Sequence, residues 1–228
     1  MPNANQLVFL FDIDNTLLDN DHIVQDLAAH LERHLGAERK DRYFAVFEEL
    51  RAQVGYADYL GALQRYRMEN PADQRILQVS SFLVDYPFAN RLFPNALDVI
   101  RHCGQWGPTV VLSDGDVVFQ PRKAERSGIA AAVEDRVLIY VHKEQMLADV
   151  QARYPAGHYV LIDDKVRILD AVKQQWGAAV TTVFPRQGHY AADVQSVRSF
   201  PPPDLTIERI GAMLELDRPS MLPAPRAP

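Results

Sequence analysis

One cysteine, Cys103, stands in 228 residues, so neither an intrachain disulfide nor a cysteine-built zinc site can form. Basic charge is also scarce. Lys and Arg number 24 against 30 Asp and Glu, a net charge of −6, which argues against a protein that holds nucleic acid by neutralising its phosphates. No apolar run approaches the ~18 residues that a bilayer-spanning helix needs. The early run "LVFLF" is short, follows no basic segment and gives way at once to acids, so it reads as a strand and not as a signal sequence. These absences point to a cytoplasmic chain with no nucleic acid and no membrane among its partners. There is no internal repeat. Hydrophobic residues make up 47% and charged residues 24%, enough to bury a real core. The length suits one large domain, or a core with a smaller companion.

Five short apolar runs read as strands: 7–11, 109–112, 137–140, 159–162 and 179–184. They are continuous rather than alternating, as expected of strands covered on both faces of a parallel sheet. Helical patterns separate the later ones. One runs from Pro94 to Gly104, and others cover 120–127, 146–154 and 168–176. Strand and helix in alternation predict an α/β doubly wound parallel sheet. The interval between the first two strands breaks that rhythm. Ile23, Leu27, Leu31 and Leu35 recur every four residues before Gly36, and Tyr43, Phe47, Leu50 and Val54 before Gly55. Tyr59, Leu63 and Tyr66 mark a third helix, and Asn70 followed by Pro71 predicts the N-terminus of a fourth. An all-helical insert is therefore expected over 20–90. The sheet domain would comprise 1–19 and 91–216, and 217–228 would be a disordered Pro-rich tail.

Ligands of open parallel sheets bind at the carboxyl ends of the strands. The first predicted strand ends in Asp12 and Asp14, the second in Ser113, Asp114 and Gly115, and the fourth in Asp163 and Asp164; Lys143 lies just past the third. Two carboxylates two residues apart repel each other, and burying them is costly unless a cation or a reaction that uses both compensates.

"FDIDNT", a helical insert, "VVLSDG", a lone Lys and "LIDD", in that order, resemble the haloacid dehalogenase-like hydrolases. The stretches "LFPNALDVIRHCGQWG" and "QPRKAERSGI" are similar to the helices flanking the second motif. "TTVFPRQGH" is similar to the family's last core strand, and "PDLTIERIGAML" to its closing helix. The resemblance covers about residues 7 to 216 and makes the insert a cap that closes over the site.

The resemblance implies an enzyme whose Asp12 attacks phosphorus and forms an aspartyl-phosphate. Asp14 would be the general acid and base. Mg²⁺ would be the cofactor, held by Asp12, the main-chain carbonyl of Asp14, and Asp164 with Asp163 in support. Ser113, the turn amides of Asp114 and Gly115, and Lys143 would hold the phosphate. The family often places an acid or amide four or five residues after its metal-binding Asp; here Ile168 and Leu169 stand there. Dehalogenases of the family attack carbon, need no metal and typically lack an acid at the position of Asp14. Its presence here leaves phosphomonoester hydrolysis or phosphoryl transfer, and the commoner outcome in the family, a phosphatase acting on a small phosphorylated metabolite, is the expectation. A phosphomutase shares the same core residues. A non-catalytic phosphate-accepting module such as a response-regulator receiver is the reading from another class, but receivers lack the helical insert; a retired binding protein on the same fold is a further alternative, which the complete set of core motif residues does not support. Oligomeric state is not encoded in any of these features.

Overall fold

A computed structural model describes residues 6–222 of the chain. Among them, six strands form one parallel sheet in the order β3-β2-β1-β4-β5-β6. The strands are β1 Leu7–Phe11, β2 Thr109–Asp114, β3 Val137–Tyr140, β4 His158–Ile162, β5 Val180–Pro185 and β6 Leu205–Ile207. The order reverses direction beside β1, so the crevice at the switch point opens between the carboxyl ends of β1 and β4. Side chains alternate along β1. Leu7, Phe9 and Phe11 face one hydrophobic cluster, Val8 and Leu10 the other. Both faces are dry, which is why "LVFLF" has no polar position.

Helices α1 Asn20–Leu35, α2 Ala37–Val54, α3 Tyr59–Glu69 and α4 Ile76–Asp85 form the insert between β1 and β2. The four-residue stripe of α1 is its buried face, and the Asp19 side chain caps it by accepting from the His22 amide at 3.0 Å. Helix α2 stops at Gly55, whose φ of +85° favours glycine and whose amide closes on Arg51 at 2.9 Å. The sheet domain continues through α5 Ala96–Gly104, α6 Phe119–Ser127, α7 Ile129–Ala132, α8 Leu147–Arg153 and α9 Val166–Trp176. Two short helices follow β5, α10 Gly188–Ala192 and α11 Val194–Arg198. No described helix is long and apolar enough to cross a membrane.

Insert and sheet share a seam of aromatic rings. Phe47 stacks on Tyr59 at 4.6 Å, Tyr59 meets Phe119 of α6 at 5.5 Å, and Phe119 meets Phe88 at 5.6 Å. Rings offset or edge-on at these separations attract beyond their burial.

Three expectations are corrected. Asn70 does not start the fourth helix. Its amide and side chain are spent on the last carbonyls of α3, and α4 begins only at Ile76. The segment similar to a closing helix is instead β6 followed by a 3₁₀ turn, Ile210–Glu215. Leu205, Thr206 and Ile207 pair with β5, and Asp204 accepts from the Thr182 amide at 2.8 Å and from Lys173 Nζ at 2.7 Å. The tail is ordered through its first residues, because Met221 is buried on a 3₁₀ turn at Pro219–Met221; the rest of the tail, 223–228, lies outside the described residues.

The seam predicts that Phe119→Ala lowers unfolding free energy by about 3–5 kcal/mol, read by urea denaturation. Val117→Ala, at a position 88% exposed, should change it by less than about 0.5 kcal/mol. A loss below about 1 kcal/mol for Phe119→Ala would mean that the seam does not join insert to sheet.

Candidate active site

The main chain delivers Asp12 to the crevice as the last rung of β1, where its amide donates to the Ile162 carbonyl at 3.0 Å. The chain then turns back, and the amides of Leu17 and Leu18 both donate to the Ile13 carbonyl at 2.9 Å. Asn15 at the turn holds φ +58°, and its side-chain oxygen accepts from the amides of Asn20 and Asp21. Short amide side chains tolerate that left-handed conformation because they bond locally.

Ser113 comes from β2 and Lys143 from the turn after β3. Both reach Asp12. Lys143 Nζ donates to Asp12 Oδ1 at 2.6 Å and to the Leu112 carbonyl at 3.2 Å, and Ser113 Oγ donates to Asp12 Oδ1 at 3.2 Å. Lys143 Nζ also forms an ion pair with Asp163 Oδ2 at 2.7 Å. The Asp114 side chain accepts from the Lys143 amide at 2.7 Å, so it fixes the loop carrying Lys143. Burial works against the Lys143 ammonium, but the carboxylates of Asp12, Asp163 and Asp114 outweigh it and hold the group well above the ordinary lysine value.

Asp12, Asp163 and Asp164 are all buried, and one oxygen of each lies within 4.8 Å of the others. Asp12 Oδ2 and both Asp164 oxygens lack a hydrogen-bond donor among the described residues, and Asp163 Oδ2 has only its ion pair with Lys143. Buried, unpartnered carboxylate oxygens are expensive. Burial pushes Asp164 well above its ordinary value against the pull of Lys165, with the Asp163 and Asp12 charges adding to it; burial likewise raises Asp163 against the pull of Lys143. A hard divalent cation among these oxygens would remove the penalty. The residues therefore fit a metal. Asp164 has the more unpartnered oxygens of its pair, while Asp163 Oδ1 accepts from the Lys165 amide at 2.8 Å. Ile168 and Leu169 are core residues of α9 and add no ligand.

Asp14 lies apart from that trio. Its carboxylate, 23% exposed, accepts from Lys123 Nζ through both oxygens, at 2.7 and 2.9 Å. Gly115 corrects a further expectation. Its amide already donates to the Tyr140 carbonyl at 3.0 Å and is not free for phosphate. The glycine serves close packing, since a Cβ there would sit 2.7 Å from Gln120 Cβ.

Several site residues escaped the sequence reading. Lys123 is 1% exposed and also donates to Asn20 Oδ1 at 2.9 Å; Gln120 donates to Ser113 Oγ at 2.9 Å. Their signal was periodicity. Phe119, Gln120, Lys123, Ala124 and Ser127 form the buried stripe of α6, so a lysine and an amide stood at core positions. Thr16 Oγ1 accepts from the Asp164 amide at 3.1 Å and ties the β1 turn to the β4 acids. A cavity of about 420 Å³ lies over the site, lined by Asp14, Asp114 and Asp164 from the sheet domain and by Arg51, Tyr56 and Ala57 from the insert.

A model of the haloacid dehalogenase-like hydrolases matches residues 7–175. The chain is 62% identical to a candidate haloacid dehalogenase-like hydrolase from Burkholderia xenovorans LB400, over 93% of this chain and 99% of that one, with a TM-score of 0.90. It shares its fold with a Bacillus subtilis hydrolase, YfnB, solved with magnesium bound (16% identity, 92% and 98% coverage, TM-score 0.62). It also shares it with L-2-haloacid dehalogenase from Xanthobacter autotrophicus (16% identity, 91% and 96% coverage, TM-score 0.59). No curated protein matches the chain.

The acid trio generates a pH test. Folding raises Asp164 above its ordinary 3.8, so the native state binds that proton more tightly than the unfolded chain. The resulting stabilisation is complete below about pH 4 and is lost as pH rises through the raised native value. In EDTA, the melting temperature of Asp164→Asn minus that of wild type should therefore grow as pH rises above about 4, by about 2–4 °C per kcal/mol. A difference that stays flat or shrinks with pH contradicts the assignment.

Proposed function

Since the chain belongs to the haloacid dehalogenase-like hydrolases, we propose that it is a Mg²⁺-dependent phosphatase acting on a small phosphorylated metabolite. The carrying observation is the trio of buried carboxylates with unpartnered oxygens, which calls for a bound cation that attack on carbon by a lone Asp does not need. The acid at position 14, poised at the cavity, supports the same reading.

In this reaction the Asp12 carboxylate attacks phosphorus. The new O–P bond forms as the ester O–P bond breaks, and the leaving oxygen takes a proton from the Asp14 carboxyl. Asp14 then takes a proton from water as that water attacks the phospho-Asp12, which frees inorganic phosphate and restores Asp12. Lys143 and Ser113 stand at Asp12 Oδ1, where they can donate to the phosphoryl oxygens as charge builds on them. Asp14 lines the cavity while both its oxygens accept from Lys123, so reaching the ester requires its side chain to leave Lys123. Mg²⁺, held by Asp12, Asp164 and the Asp14 carbonyl with Asp163 in support, would neutralise the approach of two anions.

Release of nitrophenol from p-nitrophenyl phosphate tests the reading. Wild type should turn over with Mg²⁺ and stop in EDTA. Asp12→Asn should fall to background, and Asp14→Asn should lose about 10²- to 10⁴-fold in kcat. Halide release from L-2-chloropropionate without phosphatase activity would overturn the reading and favour a dehalogenase.

A further inference from the structure

Two cavities flank the site, of about 420 and 440 Å³, and both are lined by Asp14, Arg51, Ala57, Lys165 and Tyr190. Three of these five are donors that the chemistry above leaves unused. Lys165 follows the acid pair directly. Among the described residues its ammonium has no carboxylate at contact distance and rests over the Tyr190 ring at 5.2 Å. Arg51 comes from the insert, at the C-terminal end of α2. It donates to the Tyr190 hydroxyl and has one loose ion pair, to Glu48 at 3.5 Å. Isolated exposed pairs of that kind hold a guanidinium weakly.

Tyr190 is held from behind. The loop between β5 and α10 is clasped to the β1 turn and to the start of α1. Gln187 Nε2 donates to the carbonyls of Asn15 and Thr16, and the His189 amide donates to Asp21 Oδ2 at 2.8 Å. Gly188 is required there, with φ +68° and a Cβ that would fall 2.6 Å from Asn15 Cβ. Sheet domain, insert and clasp thus converge to set an ammonium, a guanidinium and a phenol at the meeting of the two cavities. Lys165 feels the charges of Asp164, Asp12 and Asp163 but contacts no carboxylate among the described residues; with a weakly paired guanidinium beside it, it leaves donors for an anion, and the transferred phosphate already has Lys143 and Ser113 at Asp12.

We propose that Lys165, Arg51 and Tyr190 form a subsite for a second anionic group on the substrate, a carboxylate or a second phosphate. The inference rests on the phosphatase reading for the identity of the first group. The substrate class is then a phosphate monoester that carries another negative charge near its leaving group.

Calorimetric titration of the full chain in MgCl₂ tests this with ligands that cannot turn over. Phosphonopropionate and propylphosphonate share a phosphonate and differ in a terminal carboxylate; propanediphosphonate offers a second phosphonate instead. Wild type should bind one of the doubly charged ligands at least about tenfold more tightly than propylphosphonate. Whichever is preferred identifies the second group. Arg51→Met and Lys165→Met should each move that ratio toward one. Because Lys165 adjoins Asp164, Arg51→Met on the insert decides if Lys165→Met abolishes all binding. Equal binding of the three ligands by wild type, or a ratio unchanged in Arg51→Met, overturns the subsite. Loss of the phosphatase reading is seen separately: no turnover of p-nitrophenyl phosphate with an intact binding ratio removes the reaction and leaves the subsite standing.

Discussion

Repulsion between buried carboxylates is the constraint around which this molecule is arranged. Asp12, Asp163 and Asp164 meet because β1 and β4 are neighbours in a parallel sheet and both end at the same crevice. The buried ammonium of Lys143 compensates part of that charge and touches two of the three acids, and the Lys165 charge acts on the third. Its own position depends on β3 lying outside β2 and on Asp114 holding its amide. The unpartnered oxygens that remain are a standing cost to the fold, which is the usual condition of a site kept ready for a cation and a substrate.

The insert is joined to this centre in two ways. An apolar seam through Phe47, Tyr59, Phe119 and Phe88 makes one continuous cluster from the helices of the insert to the sheet. Polar tethers then act at the cavity itself. Lys123 bridges Asp14 and Asn20, and the loop after β5 grips Asp21 and the β1 turn. The seam supplies adhesion without direction, and the tethers supply direction. Side chains that pair around the site are therefore brought together by elements far apart in the chain. Asp14 and Lys123 are 109 positions apart, and Arg51 and Tyr190 are 139 apart.

Much of this was legible beforehand. The continuous runs at β1, β2 and β4 read as doubly covered strands because a strand buried on both faces has no room for a polar position. Asp12, Ser113, Lys143, Asp163 and Asp164 could be picked out because strand ends of a parallel sheet converge. Asn70 misled because an Asn-Pro pair suits a helix start, while its side chain had a closer use on the carbonyls of α3. The segment at 203–214 misled because three residues of strand pattern are too short to outweigh a likeness to a helix. Lys123 was not singled out, although its place in the α6 stripe marks it as inward-facing.

What the sequence by itself determined is the set of elements and the identity of the acids at their ends, since both follow from local periodicity and from the rule that strands of one parallel sheet share a carboxyl edge. Tertiary structure alone decided which groups are paired and which are left over. Gly115 lost its amide to Tyr140, Asp14 turned to Lys123 and away from the acid trio, and Lys165 came to stand with no carboxylate at contact distance among the described residues. Hydrogen bonds and ion pairs act over about 3 Å, and no spacing along a chain specifies which distant side chain will arrive within that reach.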